Sequence, residues 1–190
     1  MDKPQRRRLQ PEARKLEIVE AAERLLQAHG SRVRVEDVVN EAGVAKGTFF
    51  LYFPTWDDLL DTVRQRLVSD FDTAYPLPTE VDGPVDWPSV IERQAGAFID
   101  FAAARQGIGE ALFHSGFTER RPLADNAIVR LSAVIRAGQE AGAFGPVDPE
   151  PTARLLFAAI DEAPRAVARG EDRAAMLAAL QGLLRRTLAP

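Results

Sequence analysis

The chain has no cysteine, which excludes disulfides, zinc–thiolate sites and thiol nucleophiles together. Its two histidines, His29 and His114, stand far apart in sequence, so a histidine-rich metal site or a histidine-based triad is hard to assemble. No apolar run approaches the roughly 18 residues that a membrane helix needs. The basic N-terminal stretch lacks the apolar core of a secretion signal, and a cytoplasmic location is the expectation. No segment alternates apolar and polar residues as a half-buried strand does. A glycine-rich phosphate loop, a metal-ligand spacing and a nucleophile–base arrangement are all missing. Neither enzymatic activity nor a metal or cofactor is expected.

What remains is an ordinary folding composition. Of 190 residues, 46% are hydrophobic and 27% charged, which argues against global disorder. The net charge of -4 is unevenly spread. Residues 1–64 carry 11 Lys/Arg and 11 Asp/Glu, whereas residues 65–190 carry 13 and 17 and account for the whole excess. Six of the first 15 residues are basic, Arg6, Arg7 and Arg8 among them, against two acids. Such a run is either a solvated tail or an arm for phosphates, since phosphate binding needs local rather than total positive charge.

Apolar spacing is helical nearly throughout. The first helix is expected from Pro11 to Gly30, with Ile18, Ala22 and Leu25 on its buried stripe. A second carries Val35, Val38, Val39 and Ala42 and is broken by Gly43; a third, short one covers Ala45 to Phe53. Thr55 caps a fourth, with Asp58 in the reciprocal position and a stripe of Leu59, Leu60, Val63, Leu67 and Phe71. The prolines between Pro76 and Pro88 mark a loop, and Ser89-Val90-Ile91-Glu92 reads as a capping box opening the next helix. Further helices are expected over Ile108–His114, Pro122–Glu140, Asp148–Arg169 (kinked at Pro164) and, after Gly170, through Met176 and Leu184. The predicted fold is all-α with about nine helices.

Residues 33–60 are the informative stretch. Two short helices joined at a tight glycine turn have few uses, and the second is too brief to be stable alone. It must be held from behind by Val38, Val44, Phe49 and Phe53, which frees its other side for the major groove of B-DNA, about 12 Å wide. That is the helix-turn-helix arrangement, with Lys46, Gly47 and Thr48 at the reading end.

The run Ala42-Gly43-Val44-Ala45-Lys46-Gly47-Thr48-Phe49-Phe50-Leu51-Tyr52-Phe53 resembles the signature of the TetR family of transcriptional regulators. Pro54 to Leu60 resembles the start of that family's fourth helix, and Ile18 to Gly30 its first. The resemblance is specific over residues 14–63 and architectural beyond them. It implies a helix-turn-helix DNA-binding domain over residues 1–54, and an effector-binding and dimerisation domain over residues 55–190. It implies that Thr48 and Tyr52 bond phosphates, that Lys46 and Gly47 lie against base edges, and that Glu36 accepts from a base. Arg6–Arg8, Arg34, Ala45, Phe50 and Thr55 complete the expected DNA-facing set. There are departures: Phe50 lacks the usual tyrosine hydroxyl, Ala45 replaces a common serine, Trp56 a common lysine, and Arg34 a capping threonine. Arg34 forfeits the cap but is expected to compensate as a phosphate contact; together the departures remove several polar or charged phosphate partners, so a shallow salt dependence is expected.

In the C-terminal part, Phe98, Phe101, Phe113, Phe117 and Phe157, with Asp100 and His114, are the candidate effector pocket. Its aromatic content implies a small apolar or aromatic effector. Phe157, Ile160, Met176, Leu180, Leu183 and Leu184 are the candidate dimer interface, of the kind two helix pairs make across a two-fold axis. The resulting expectation is a homodimeric repressor, released from a palindromic operator by its effector. The alternative is a helical dimer that no longer binds DNA strongly.

Overall fold

A computed structural model describes residues 11–78, 84–113 and 126–190. Arg6–Arg8, His114 and Phe117 lie outside the described residues, as does the expected start at Pro122. Among the described residues there are nine α-helices and no strand. They are α1 (Pro11–His29), α2 (Val35–Ala42), α3 (Lys46–Tyr52), α4 (Trp56–Ala74), α5 (Trp87–Ala103), α6 (Gln106–Phe113), α7 (Asn126–Glu140), α8 (Pro149–Ala168) and α9 (Arg173–Leu188), with a 3-10 turn at Gly30–Arg32. No helix described here is long and apolar enough to cross a membrane.

The described residues divide into two compact units. One holds those up to Gln65 together with Gly107–Phe113; the other holds Arg66–Gln106 and the residues from Asn126 onward. In the first unit, Ile18, Ala22 and Leu26 of α1, Val38 of α2, Phe49 of α3 and Leu59 of α4 are each 2% exposed or less. Leu26, rather than the expected Leu25, takes the innermost place. The α2–α3 turn depends on Gly43, whose φ of 62° lies in the left-handed region that disfavours a side chain. That conformation lets the Gly43 N–H reach the Asn40 carbonyl at 3.1 Å and the Val44 N–H reach Val39 at 2.9 Å, which stops α2 cleanly. At the start of α4 the expected reciprocal cap is present. The Thr55 N–H donates to Asp58 at 2.9 Å, and the Asp58 N–H donates to Thr55 Oγ1 at 3.1 Å.

The second unit is built around Ile91, Ile99, Ile135, Ala153, Leu156, Leu180 and Leu184, drawn from α5, α7, α8 and α9. Each fully buried Ile or Leu contributes about 1.5–3 kcal/mol against solvent exposure. The cap of α5 differs from expectation: Asp86 is the capping residue, and Ser89 sits inside the first turn, donating its N–H to Asp86 at 3.2 Å. A proline at the second helical position fits an N-terminus, so the helix starts two residues before the serine. α8 runs unbroken through Pro164.

Glu92 of α5 is joined to Arg185 of α9 by two bonds of 2.5 and 2.8 Å. The Arg185 hydrogen bond holds the Glu92 carboxyl below its ordinary value of 4.5. A carboxylate depressed in the fold stabilises it above the ordinary value, and that contribution is lost as pH falls through the folded one. We expect the unfolding temperature of Glu92→Gln to lie below that of the parent at pH 7. The gap should narrow as pH falls below about 4.5 and close in stronger acid. A pH series of thermal melts on both proteins measures it; a gap independent of pH refutes it.

Candidate nucleic-acid interface

α3 has seven residues and makes too few internal hydrogen bonds to persist in isolation. Packing holds it. Phe49 is fully buried and Phe53 is 1% exposed, their ring centroids 5.7 Å apart. Phe50, one position on, turns away from that core and is 42% exposed. Its ring meets Phe49 edge-on, at 5.2 Å and 86°, so the core ring steadies the outer one. Lys46 and Phe50 are four apart and share the outer face. A side chain at Gly47 would meet nothing within 4 Å, and Ala45, Lys46 and Leu51 are exposed. Thr48 and Tyr52 are half-buried along the flank. A short helix anchored by one face and open on the other is the geometry of a reading helix.

The electrostatics of this face are local. Lys46 Nζ lies 2.5 Å from Glu36 Oε1 of α2, with both side chains more than half exposed. The Lys46 hydrogen bond, aided by a backbone bond, pulls the Glu36 carboxyl below the ordinary range. Beside the pair is an open hollow of about 360 Å³ lined by Arg34, Val35, Glu36, Lys46, Phe50 and Trp56. Val35 and Trp56 join the face although neither was among the expected DNA contacts; Trp56, the first residue of α4, was signalled only by standing where the resembling family has a lysine.

Two expected DNA contacts are otherwise engaged. Arg34, expected to compensate for its lost cap as a phosphate contact, donates its guanidinium to the carbonyls of Ser31 at 3.0 Å and Val33 at 3.1 Å. Its N–H meanwhile donates to Asp37 at 2.8 Å, which keeps half of a capping box although Arg34 is no capping side chain. The Thr55 hydroxyl is taken by Asp58 at 2.8 Å. Short reach explains both: each side chain satisfies backbone or cap groups within three residues before it can serve a ligand.

In the second unit, Phe98, Phe101 and Phe157 come together. Phe71 of α4 links them, edge-on to Phe98 at 5.8 Å and to Phe101 at 5.2 Å, while Phe98 meets Phe157 at 6.2 Å. Arg130 of α7 stands beside Phe71 and donates to the Tyr75 carbonyl at 2.7 Å while pairing with Asp72. Burial lowers the pKa of this guanidinium. Phe71 had been read as helix stripe only, and Arg130 had not been singled out; a lone arginine between Ile128 and Leu131 was the available signal. Phe113 belongs to the other unit. Asp100, expected in the pocket, is exposed and bound by Arg173 through bonds of 2.7 and 2.6 Å. The expected dimer set is also divided. Ile160, Leu180 and Leu184 are 8% exposed or less within their own chain, filling its core. Leu183 is left exposed, and Leu155 joins it at 75%.

The fold and the face define a helix-turn-helix module attached to a helical C-terminal unit. Comparison with known proteins carries this further. The model of bacterial regulatory proteins of the TetR family matches residues 18–63, and a tetracyclin repressor-like C-terminal domain matches residues 109–190. The HTH-type transcriptional regulator EthR of Mycobacterium tuberculosis is 35% identical over 74 residues, covering 38% of this chain and 33% of that relative. The match thus spans only a third of the curated relative's length. Among solved structures, a TetR-family transcriptional regulator from Rhodococcus sp. aligns over 94% of this chain and 100% of its own, at 22% identity and a TM-score of 0.75. RolR in complex with resorcinol aligns over 94% of this chain and 89% of its own, at 19% identity and 0.74. FadR from Bacillus subtilis, in complex with stearoyl-CoA, aligns over 89% and 96%, at 18% identity and 0.71. The chain belongs to the TetR family of bacterial regulatory proteins.

Proposed function

We propose that this chain is a ligand-responsive DNA-binding transcriptional regulator, a repressor acting in the cytoplasm as a homodimer on a palindromic operator. The observation that carries the reading is the two-sidedness of α3. Phe49 and Phe53 fasten it from behind, while Lys46, Gly47 and Phe50 face outward with nothing over Gly47. In this reading α3 enters the major groove, and Lys46, Gly47 and Glu36 meet base edges. Thr48 and Tyr52 donate to phosphates on the flank, Ala45 lies against the backbone, and Arg6–Arg8 reach the flanking duplex. Residues 1–54 then carry recognition, and residues 55–190 carry effector binding and dimerisation. One short reading helix covers too few bases for selectivity. Two, about 34–36 Å apart, fit successive grooves.

The effector is a small apolar or aromatic molecule held near Phe98, Phe101, Phe157 and Phe71. The ring cluster supports this, as does the likeness in fold to regulators solved with resorcinol and with stearoyl-CoA. Leu155 of α8 and Leu183 of α9 are exposed apolar side chains that a second copy would cover. The effector acts by binding the DNA-free arrangement more tightly than the DNA-bound one, because equal affinity shifts nothing. α4 is the natural carrier: it holds Leu59 and Leu60 at one end and Phe71 at the other.

Selection of bound duplexes from a random pool tests the reading. A two-fold symmetric site with half-sites about 10–10.5 base pairs apart is expected, and failure to enrich any sequence refutes it. The Lys46–Glu36 pair adds a further expectation. In Glu36→Gln the lysine is freed for phosphate and a negative charge leaves the face. Binding to non-specific duplex should tighten, and the slope of log affinity on log salt should steepen by about 0.9 per subunit. A slope equal to the parent's contradicts the placement of this pair at the DNA.

A further inference from the structure

The two cations at the hollow bounded by Phe50 and Trp56 already have partners within the protein. Arg34 is bound to the Ser31 and Val33 carbonyls, and Lys46 to Glu36. Its lining is largely apolar, with Val35, Phe50 and Trp56 beside the charged residues. Phe50 keeps an exposed edge there, with its ring braced at right angles on the buried Phe49. Val35, Phe50 and Trp56 together make a contiguous apolar surface beside the Lys46–Glu36 pair, and an apolar patch rimmed by polar groups marks a contact surface. Only one apolar group projects from the base edges into the major groove, the C5-methyl of thymine.

We infer that Phe50 is a specificity-determining residue of the reading helix, and that the hollow beside it receives a thymine methyl. This rests on the DNA-binding reading above and deepens it. The rim fits the same occupant: Glu36 offers an acceptor and Lys46 a donor next to the apolar lining, the combination needed to meet a polar base edge beside a methyl group. A hydroxyl at Phe50 would direct that position toward a phosphate oxygen; its absence turns a backbone contact into a base contact.

The test uses the full chain and the duplex recovered by selection, with each thymine in turn replaced by deoxyuridine. That change deletes one methyl and leaves every hydrogen-bonding atom in place. One thymine per half-site should weaken binding about fourfold when replaced, the value of one buried methyl-sized group. In Phe50→Ala the same replacement should have no effect, while Phe50→Leu, which keeps an apolar surface, retains part of it. Phe50 is exposed, so both variants should melt near the parent temperature; the deoxyuridine series on the parent needs no variant. If no thymine of an enriched site shows methyl dependence, or if Phe50→Ala keeps the full penalty, this inference is overturned and the regulator reading stands. If no sequence is enriched at all, both fall.

Discussion

Phe49→Ala is expected to cost about 3–5 kcal/mol of stability and to abolish DNA binding with it. The side chain is fully buried, touches the rings of Phe50 at 5.2 Å and Phe53 at 5.7 Å, and forms the inner face of α3. Truncation removes the ring and leaves a cavity in the core beneath α3. α3 feels this most, because seven residues carry little helical stability of their own and depend on the contacts below. With a domain stability of about 5–15 kcal/mol in total, the loss is a large share of the margin. Denaturant unfolding of parent and variant measures it. Phe49→Leu, closer in volume, should lose less and keep measurable binding. A loss under about 1 kcal/mol for the alanine variant would mean that the phenylalanine does not anchor the reading helix.

Gly107→Ala should be the other severe change, for a backbone reason. A Cβ built there lies 2.3 Å from the carbonyl oxygen of Gln27 and 2.5 Å from that of Leu26. Both are main-chain atoms of α1, so no rotamer relieves the clash and the helices must separate. Overpacking of this kind costs about 1–3 kcal/mol, occasionally more. Separation would also strain the Ser31 hydroxyl bond to Glu110, now 3.0 Å. Gly109, two residues on, is the control: nothing lies within 4 Å of its Cβ position, so Gly109→Ala should gain up to about 1 kcal/mol from helix propensity. Thermal melts of the two variants should therefore move in opposite directions. Equal shifts would show that the α1–α6 approach is not tight.

Much of the candidate interface was legible because its cues are local. The glycine stop at Gly43, the Thr55–Asp58 cap and the inward phenylalanines at Phe49 and Phe53 all act within four residues, where sequence spacing is spatial distance. Asp86 rather than Ser89 caps α5, because the proline at the second helical position suits an N-terminus that begins at Trp87.

The partners were decided elsewhere. Nothing near Asp100 in sequence indicates Arg173, 73 residues away, and nothing near Phe71 indicates Phe98 and Arg130. Along α9 the spacing of Leu180, Leu183 and Leu184 permits more than one apolar side to face inward. Packing against α5 and α8 chose Leu180 and Leu184 and left Leu183 outside. The chain by itself determined its helices, most of their ends and the two-sidedness of α3, since those follow from period, caps and one left-handed glycine. Which charges pair across helices and which leucines stay exposed was fixed only when those helices packed, because such choices depend on the shape and charge of surfaces far apart in sequence.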